Sequence, residues 1–141
     1  MSPTENEKLV RRYISKINAL TGTEWVNQLA SPDYVLHHPS LPGPLQGPVA
    51  LQEFFQAIVA AFPDFHIEVE DMLAAGDKVV ARGTCSGTFK GSFAGIDPTG
   101  KFATWGVMAI YRIVDGKIAE MWEQLDLLGA WQRLGVIPMM G

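Results

Sequence analysis

Apolar residues recur at three- and four-residue steps through the first sixty positions and at every second position over much of the remaining chain. Leu9, Val10, Tyr13, Ile14, Ile17 and Leu20 fall on one face of a helix. Ser2 can cap that helix, Pro3 suits its first turn, Glu5 completes a capping box, and Gly22 stops it. Thr23 is placed to cap a short second helix carrying Trp25, Val26 and Leu29, which Pro32 breaks. Tyr34 to His38 reads as a short strand or extended segment, and Pro39 to Pro48, with four Pro and two Gly, as a loop. Pro48 opens a third helix with Leu51, Phe54, Phe55, Ile58, Val59 and Phe62 on its apolar side, and Pro63 ends it.

The period then drops to two. Phe65, Ile67, Val69 and Leu73 alternate with His66, Glu68, Glu70 and Met72, as in a strand with one buried face. Gly76-Asp77 turns into a second strand, Lys78 to Lys90. Asp97 to Gly100 precedes a third, Phe102 to Val114, and the Asp115-Gly116 hairpin signal leads into a fourth, Lys117 to Asp126. A short helix, Leu127 to Leu134, closes the chain. Helices followed by hairpin-linked strands predict a single α+β domain over 1–141 with an antiparallel sheet. Trp105, Val107, Met108, Ile110, Ile113, Ile118, Met121 and Trp122 occupy both strand faces, so one face is expected on the helices and the other on a second copy, in a homodimer.

The 141 residues are 48% apolar and 18% charged, enough for a core and too apolar for a disordered segment. A net charge of −4 with scattered basic residues argues against nucleic acid. The polar stretch Met1 to Lys8 predicts no signal peptide, and no apolar run is long enough to span a membrane. The lone Cys85 fits a reducing, cytoplasmic setting.

There is no glycine-rich phosphate fingerprint. His37 and His38, adjacent on an extended segment, would point to opposite faces, so no metal site is expected. The last strand carries the informative pattern. Ile118, Glu120, Trp122, Gln124 and Asp126 form one row, and Ala119, Met121, Glu123 and Leu125 the other. A carboxylate alone among apolar side chains has its charged form disfavoured, which suits it to acid–base work. A two-residue Asp115-Gly116 loop would set Glu123 beside Met108 and Ile110. A three-residue loop with a glycine bulge would set it beside Val107, Ala109 and Tyr111 and bring Arg112 to Glu120, and this register is preferred. One of His37 and His38 should face inward as a ligand contact or proton donor. His66 shares a row with Glu68 and Glu70 and reads as solvated; Asp126 reads as the cap of the final helix. Tyr13, Ile17 and Trp105 are core positions that can also line a pocket.

Gly91 to Lys101 (GSFAGIDPTGK), Ile110 to Ile118 (IYRIVDGKI) and Glu120 to Gly135 (EMWEQLDLLGAWQRLG), with Phe62 to Phe65 and Glu70 to Asp77, resemble the SnoaL-like polyketide cyclases of the nuclear transport factor 2-like superfamily. The resemblance covers nearly the whole chain. It implies a cone-shaped fold in which a curved antiparallel sheet wraps around N-terminal helices, usually dimeric through the outer sheet face. It also implies cofactor-free acid/base chemistry on an apolar carbonyl compound, such as aldol-type ring closure or isomerisation. The family's H-x-D triplet on the last strand reads Met121-Trp122-Glu123 here, which puts Glu123 on the acid/base position, with His37 or His38 beside it. Ala109 and Met121 stand where the cyclases carry polar groups. The expected site is therefore Glu123, His38 and His37 as catalytic groups and Tyr13, Ile17, Trp105, Ala109, Tyr111 and Met121 as the wall, with no metal or cofactor. A non-catalytic module that binds apolar ligands or dimerises is the alternative.

Overall fold

The computed structural model describes residues 2–139 as four helices and one six-stranded sheet. Helix α1 (Pro3–Ala19) begins at Ser2, whose hydroxyl oxygen accepts the Glu5 main-chain N–H at 3.1 Å. The Glu5 carboxylate accepts the Ser2 hydroxyl in return, at 3.2 Å. The helix stops just before Gly22: Leu20 takes the left-handed C-cap, φ 57°. Val10, Tyr13, Ile14 and Ile17 are buried. Asn18, on the same helix, clamps the main chain of Ile67, donating to its carbonyl and accepting its N–H, both at 2.8 Å.

Helix α2 is Val26–Leu29 and runs straight into strand β1, Ala30–His37. Thr23 does not cap it by side chain; its hydroxyl accepts from Gln56 instead. Pro32 breaks no helix. It lies inside β1, between the paired residues Ala30 and Val35, where the ladder to the neighbouring strand is interrupted and a missing N–H costs nothing. The two-residue β2 (Leu45–Gln46) pairs with β1 inside the proline-rich loop. Helix α3, Pro48–Ala61, buries Leu51 and Ala61 fully, whereas Phe54, Phe55 and Ile58 remain half-buried because they face a cavity.

Strands β3 (His66–Ala75), β4 (Lys78–Thr88), β5 (Phe102–Val114) and β6 (Lys117–Leu125) form the meander, and α4 (Leu127–Arg133) closes the chain. The sheet order is β2-β1-β6-β5-β4-β3. The expected all-antiparallel sheet is corrected at one seam: β1 runs parallel to β6, because the chain reaches the far edge by way of the helices before the meander begins.

Two bulges reset the side-chain alternation. In β3 the pairing steps from Val69–Gly83 to Asp71–Arg82, leaving Glu70 as an extra residue. Met72 and Ala74 therefore turn inward and Leu73 is 72% exposed, the reverse of the sequence reading. In β6 the pairing steps from Ile113–Ile118 to Arg112–Glu120, leaving Ala119 unpaired. Ile118 thus joins the core instead of sharing the outer row of Glu120 and Trp122.

Asp115 (φ 50°) and Gly116 (φ 75°) form a two-residue turn in which both central residues are left-handed. The preferred register of β6 on β5 holds, but the extra residue that creates it is Ala119 and not a three-residue loop. Helices α1 and α3 pack on the concave face of the sheet. Among the described residues no helix is long and apolar enough to cross a membrane.

Candidate active site

The bulge at Ala119 decides which residues of β6 look inward: Met121, Glu123 and Leu125 do, and Glu120 and Trp122 look out. Glu123 pairs across β5 with Ala109, whose small side chain leaves room above the carboxylate, and Val107 and Tyr111 flank Ala109 on the same face. The parallel pairing on the other side sets Leu36 opposite Met121 and His37 opposite Trp122. One residue further on, His38 reaches Glu123.

The two histidines separate as alternation requires. His38 turns inward, with its Nε2 2.8 Å from Glu123 Oε2; the two side chains are 8% and 19% exposed. His37 turns outward, which removes it from the pocket. Its Nε2 meets Glu120 Oε2 at 2.7 Å, its ring stacks on Trp122 at 5.5 Å, and Arg112 holds the other Glu120 oxygen at 3.1 Å.

Ser40, which the sequence pattern did not single out, completes the inner pair. Its main-chain N–H donates to His38 Nδ1 at 3.1 Å and its hydroxyl lies 2.7 Å from the same nitrogen. A main-chain N–H can only donate, so Nδ1 acts as acceptor and the ring proton belongs on Nε2, the nitrogen facing Glu123. The Phe54 ring edge closes over the imidazole at 5.0 Å.

Two chambers adjoin at Glu123. The first encloses about 640 Å³, mouth included, between α1, α3 and the sheet, and Tyr13, Ile17, Ala109, Tyr111, Met121 and Glu123 are on its wall. The second, about 580 Å³, lies under α4 and takes in His38, Ser40, Trp105, Trp131 and Glu123. Phe54, Ile58, Phe65, Cys85 and Glu123 line both, so the carboxylate stands at the waist. The wall residues expected from the sequence thus divide: Trp105 belongs to the second chamber, packed among Phe62 and Phe65, and the others to the first.

Arg82 borders the first chamber, but its guanidinium is committed to Asp71 and Glu70 on the outer face. Burial, and next the Glu123 charge, push the Tyr111 phenol and the Cys85 thiol up, so both stay protonated. The arrangement offers one carboxylate base, an imidazole N–H beside it and protonated phenols, all within apolar walls. Asp126, as expected, caps α4, accepting the Gly129 N–H at 2.9 Å.

The same architecture recurs in solved structures. AclR of Streptomyces galilaeus, whose hydroxylase assignment is provisional, is 27% identical over 99% of this chain and 87% of its own, with a TM-score of 0.85. TsrD of Streptomyces laurentii is 25% identical over 97% and 99%, with a TM-score of 0.85. IdmH of Streptomyces antibioticus, provisionally a polyketide cyclase, is 27% identical over 93% and 99%, with a TM-score of 0.80. No protein of curated function matches the sequence. The fold is the α+β nuclear transport factor 2-like cone. The sequence model of the SnoaL-like polyketide cyclases matches residues 7–134, and the chain belongs to that family.

Proposed function

We propose that the protein is a cofactor-independent acid/base enzyme that enolises an apolar carbonyl compound and closes or rearranges it. Glu123 takes the proton from the carbon next to the carbonyl. The Tyr111 hydroxyl donates to the developing enolate oxygen, and His38 Nε2–H turns to the same oxygen from Glu123 as the carboxylate takes its proton. In an aldol closure the enolate carbon bonds to a second carbonyl carbon of the same molecule, and the Glu123 carboxyl returns its proton to the resulting alkoxide. Every proton is accounted for within the site, and no oxidant or reductant enters.

The observation that carries this reading is the lone Glu123 carboxylate, 2.8 Å from a histidine, at the waist of an apolar cavity. Leaving a carboxylate there has a folding cost, which use in a reaction explains. The test is deuterium uptake by apolar ketones such as 1-tetralone in D2O, followed by proton NMR. Wild type should exceed the uncatalysed rate, and Glu123→Gln should lose the excess with its melting curve intact. Wild type no faster than buffer would end this reading.

A non-catalytic ligand-binding module is the second reading, favoured by the apolar neighbours Ala109 and Met121. It expects ketones to bind and leave unexchanged.

The outer sheet face is proposed to join two copies. Leu73, Val80, Ile110 and Trp122 are paired in turn across β3, β4, β5 and β6, giving a cross-strand apolar stripe. Leu73 is 72% and Ile110 39% exposed.

A further inference from the structure

Phe54 stands where the two chambers adjoin, and it comes from the roof. Of the side chains that line both, Cys85 and Glu123 belong to the sheet and Phe65 precedes β3, whereas Phe54 and Ile58 hang one turn apart from α3. Helix α3 is anchored toward its two ends, where Leu51 and Ala61 are fully buried. Between these anchors Phe54, Phe55 and Ile58 stay half-buried on the cavity wall, so close packing leaves part of their surface free to meet a ligand. The Phe54 and His38 rings meet edge-on with 5.0 Å between centres, and His38 Nε2 lies 2.8 Å from Glu123. The three side chains therefore hang as one curtain from α3 down to β6.

We propose that Phe54 is a specificity-determining residue: its ring closes the space above Glu123, so a ligand held at the carboxylate lies in one chamber only. The substrate is then a compact cyclic ketone, of one ring or two fused rings, and not a ketone with a bulky arm on each side of its carbonyl. This role rests on the acid/base reading, to which it adds the shape of the ligand. A two-armed ketone with its central carbon at Glu123 would have to push an arm through the curtain. That means overpacking against the Phe54 ring or driving the ring off its rotamer, and both are costly.

The test compares a compact probe, 1-tetralone, with a two-armed one, 1,5-diphenyl-3-pentanone, each binding to the full chain by calorimetry. Wild type should prefer 1-tetralone. Phe54→Ala, which leaves the buried anchors of α3 in place, should move the affinity ratio at least about tenfold toward the two-armed ketone. Phe54→Leu keeps an apolar side chain there and should move the ratio the same way by about threefold, so the test stands even where the alanine variant melts too low. Phe55→Ala, which alters the first chamber but not the second, should weaken both ketones alike and leave the ratio as it was. A wild type that binds the two-armed ketone as well as 1-tetralone, or binds neither, would overturn the assignment. So would an unmoved ratio in the Phe54 variants, or an equal shift in Phe55→Ala. A ratio that moves without any deuterium uptake would retain the role of Phe54 and end the acid/base reading. Uptake with an unmoved ratio would do the opposite.

Discussion

His37 and His38 are neighbours in the chain, and each meets a glutamate of β6, yet they form opposite kinds of site. The outer pair, His37 with Glu120, has a guanidinium on the second carboxylate oxygen and an indole under the imidazole. Hydrogen bonding from His37, and then from Arg112, holds the Glu120 carboxyl below its usual range. The inner pair, His38 with Glu123, has apolar walls and a serine behind the ring, and among the described residues no Lys or Arg meets its carboxylate. One set of charges is fully compensated and inert, and the other is left with something to do. Identical residue types acquire different chemistry from what the sheet places around them.

Exchanging the two carboxylates for amides is the sharpest way to break this comparison. Glu123→Gln should cost at least about 100-fold in ketone deuterium uptake, whereas Glu120→Gln should stay within about twofold. Equal losses would mean that the inner site is not special. The histidines should divide in the same sense with a smaller gap. His38→Gln is expected to lower uptake about tenfold and His37→Gln to leave it unchanged. Ser40→Ala should weaken the fixed orientation of the inner imidazole by a few-fold in the same assay, and ring nitrogen NMR should find His38 protonated on Nε2 in wild type. A ring protonated only on Nδ1 would contradict the Ser40 geometry. On the outer face, Ile110→Lys should shift sedimentation toward a monomer and leave the uptake rate per chain nearly intact. Smallest is an effect of pH. Because the folded Glu120 carboxyl is lowered, its contribution to stability is complete above the unfolded value of about 4.3 and fades as pH falls through the folded value. Wild type should therefore lose more melting temperature than Glu120→Gln on going from pH 7 to pH 4.

The helices, the hairpin, the inward carboxylate and the split between the two histidines were legible because each leaves a residue-type mark. Examples are Ser2-Pro3 at a helix start, Asp115-Gly116 at a turn, and apolar spacing along α1 and β5. What escaped was whatever depends on counting residues across a seam. Neither Glu70 nor Ala119 announces a bulge, and a strand with one extra residue looks unbroken until its partner is aligned. Pro32 read as a helix breaker because the gap in the β1–β6 ladder that tolerates it is a property of two strands, not of one. Phe54 and Phe55 looked like core, and only the cavity beside them shows that their face is a wall. Ser40 sat unremarked in a proline-rich loop; its position two residues after an inward histidine was the available signal.

The extra residue at Ala119 behaves like a reading frame. Upstream and downstream of it the strand is translated into inside and outside by opposite rules, and were Ala119 paired with Arg112 instead of set aside, Glu120 and Trp122 would stand where Met121 and Glu123 now stand. Setting one residue aside in this strand is therefore what selects the side chains of the site.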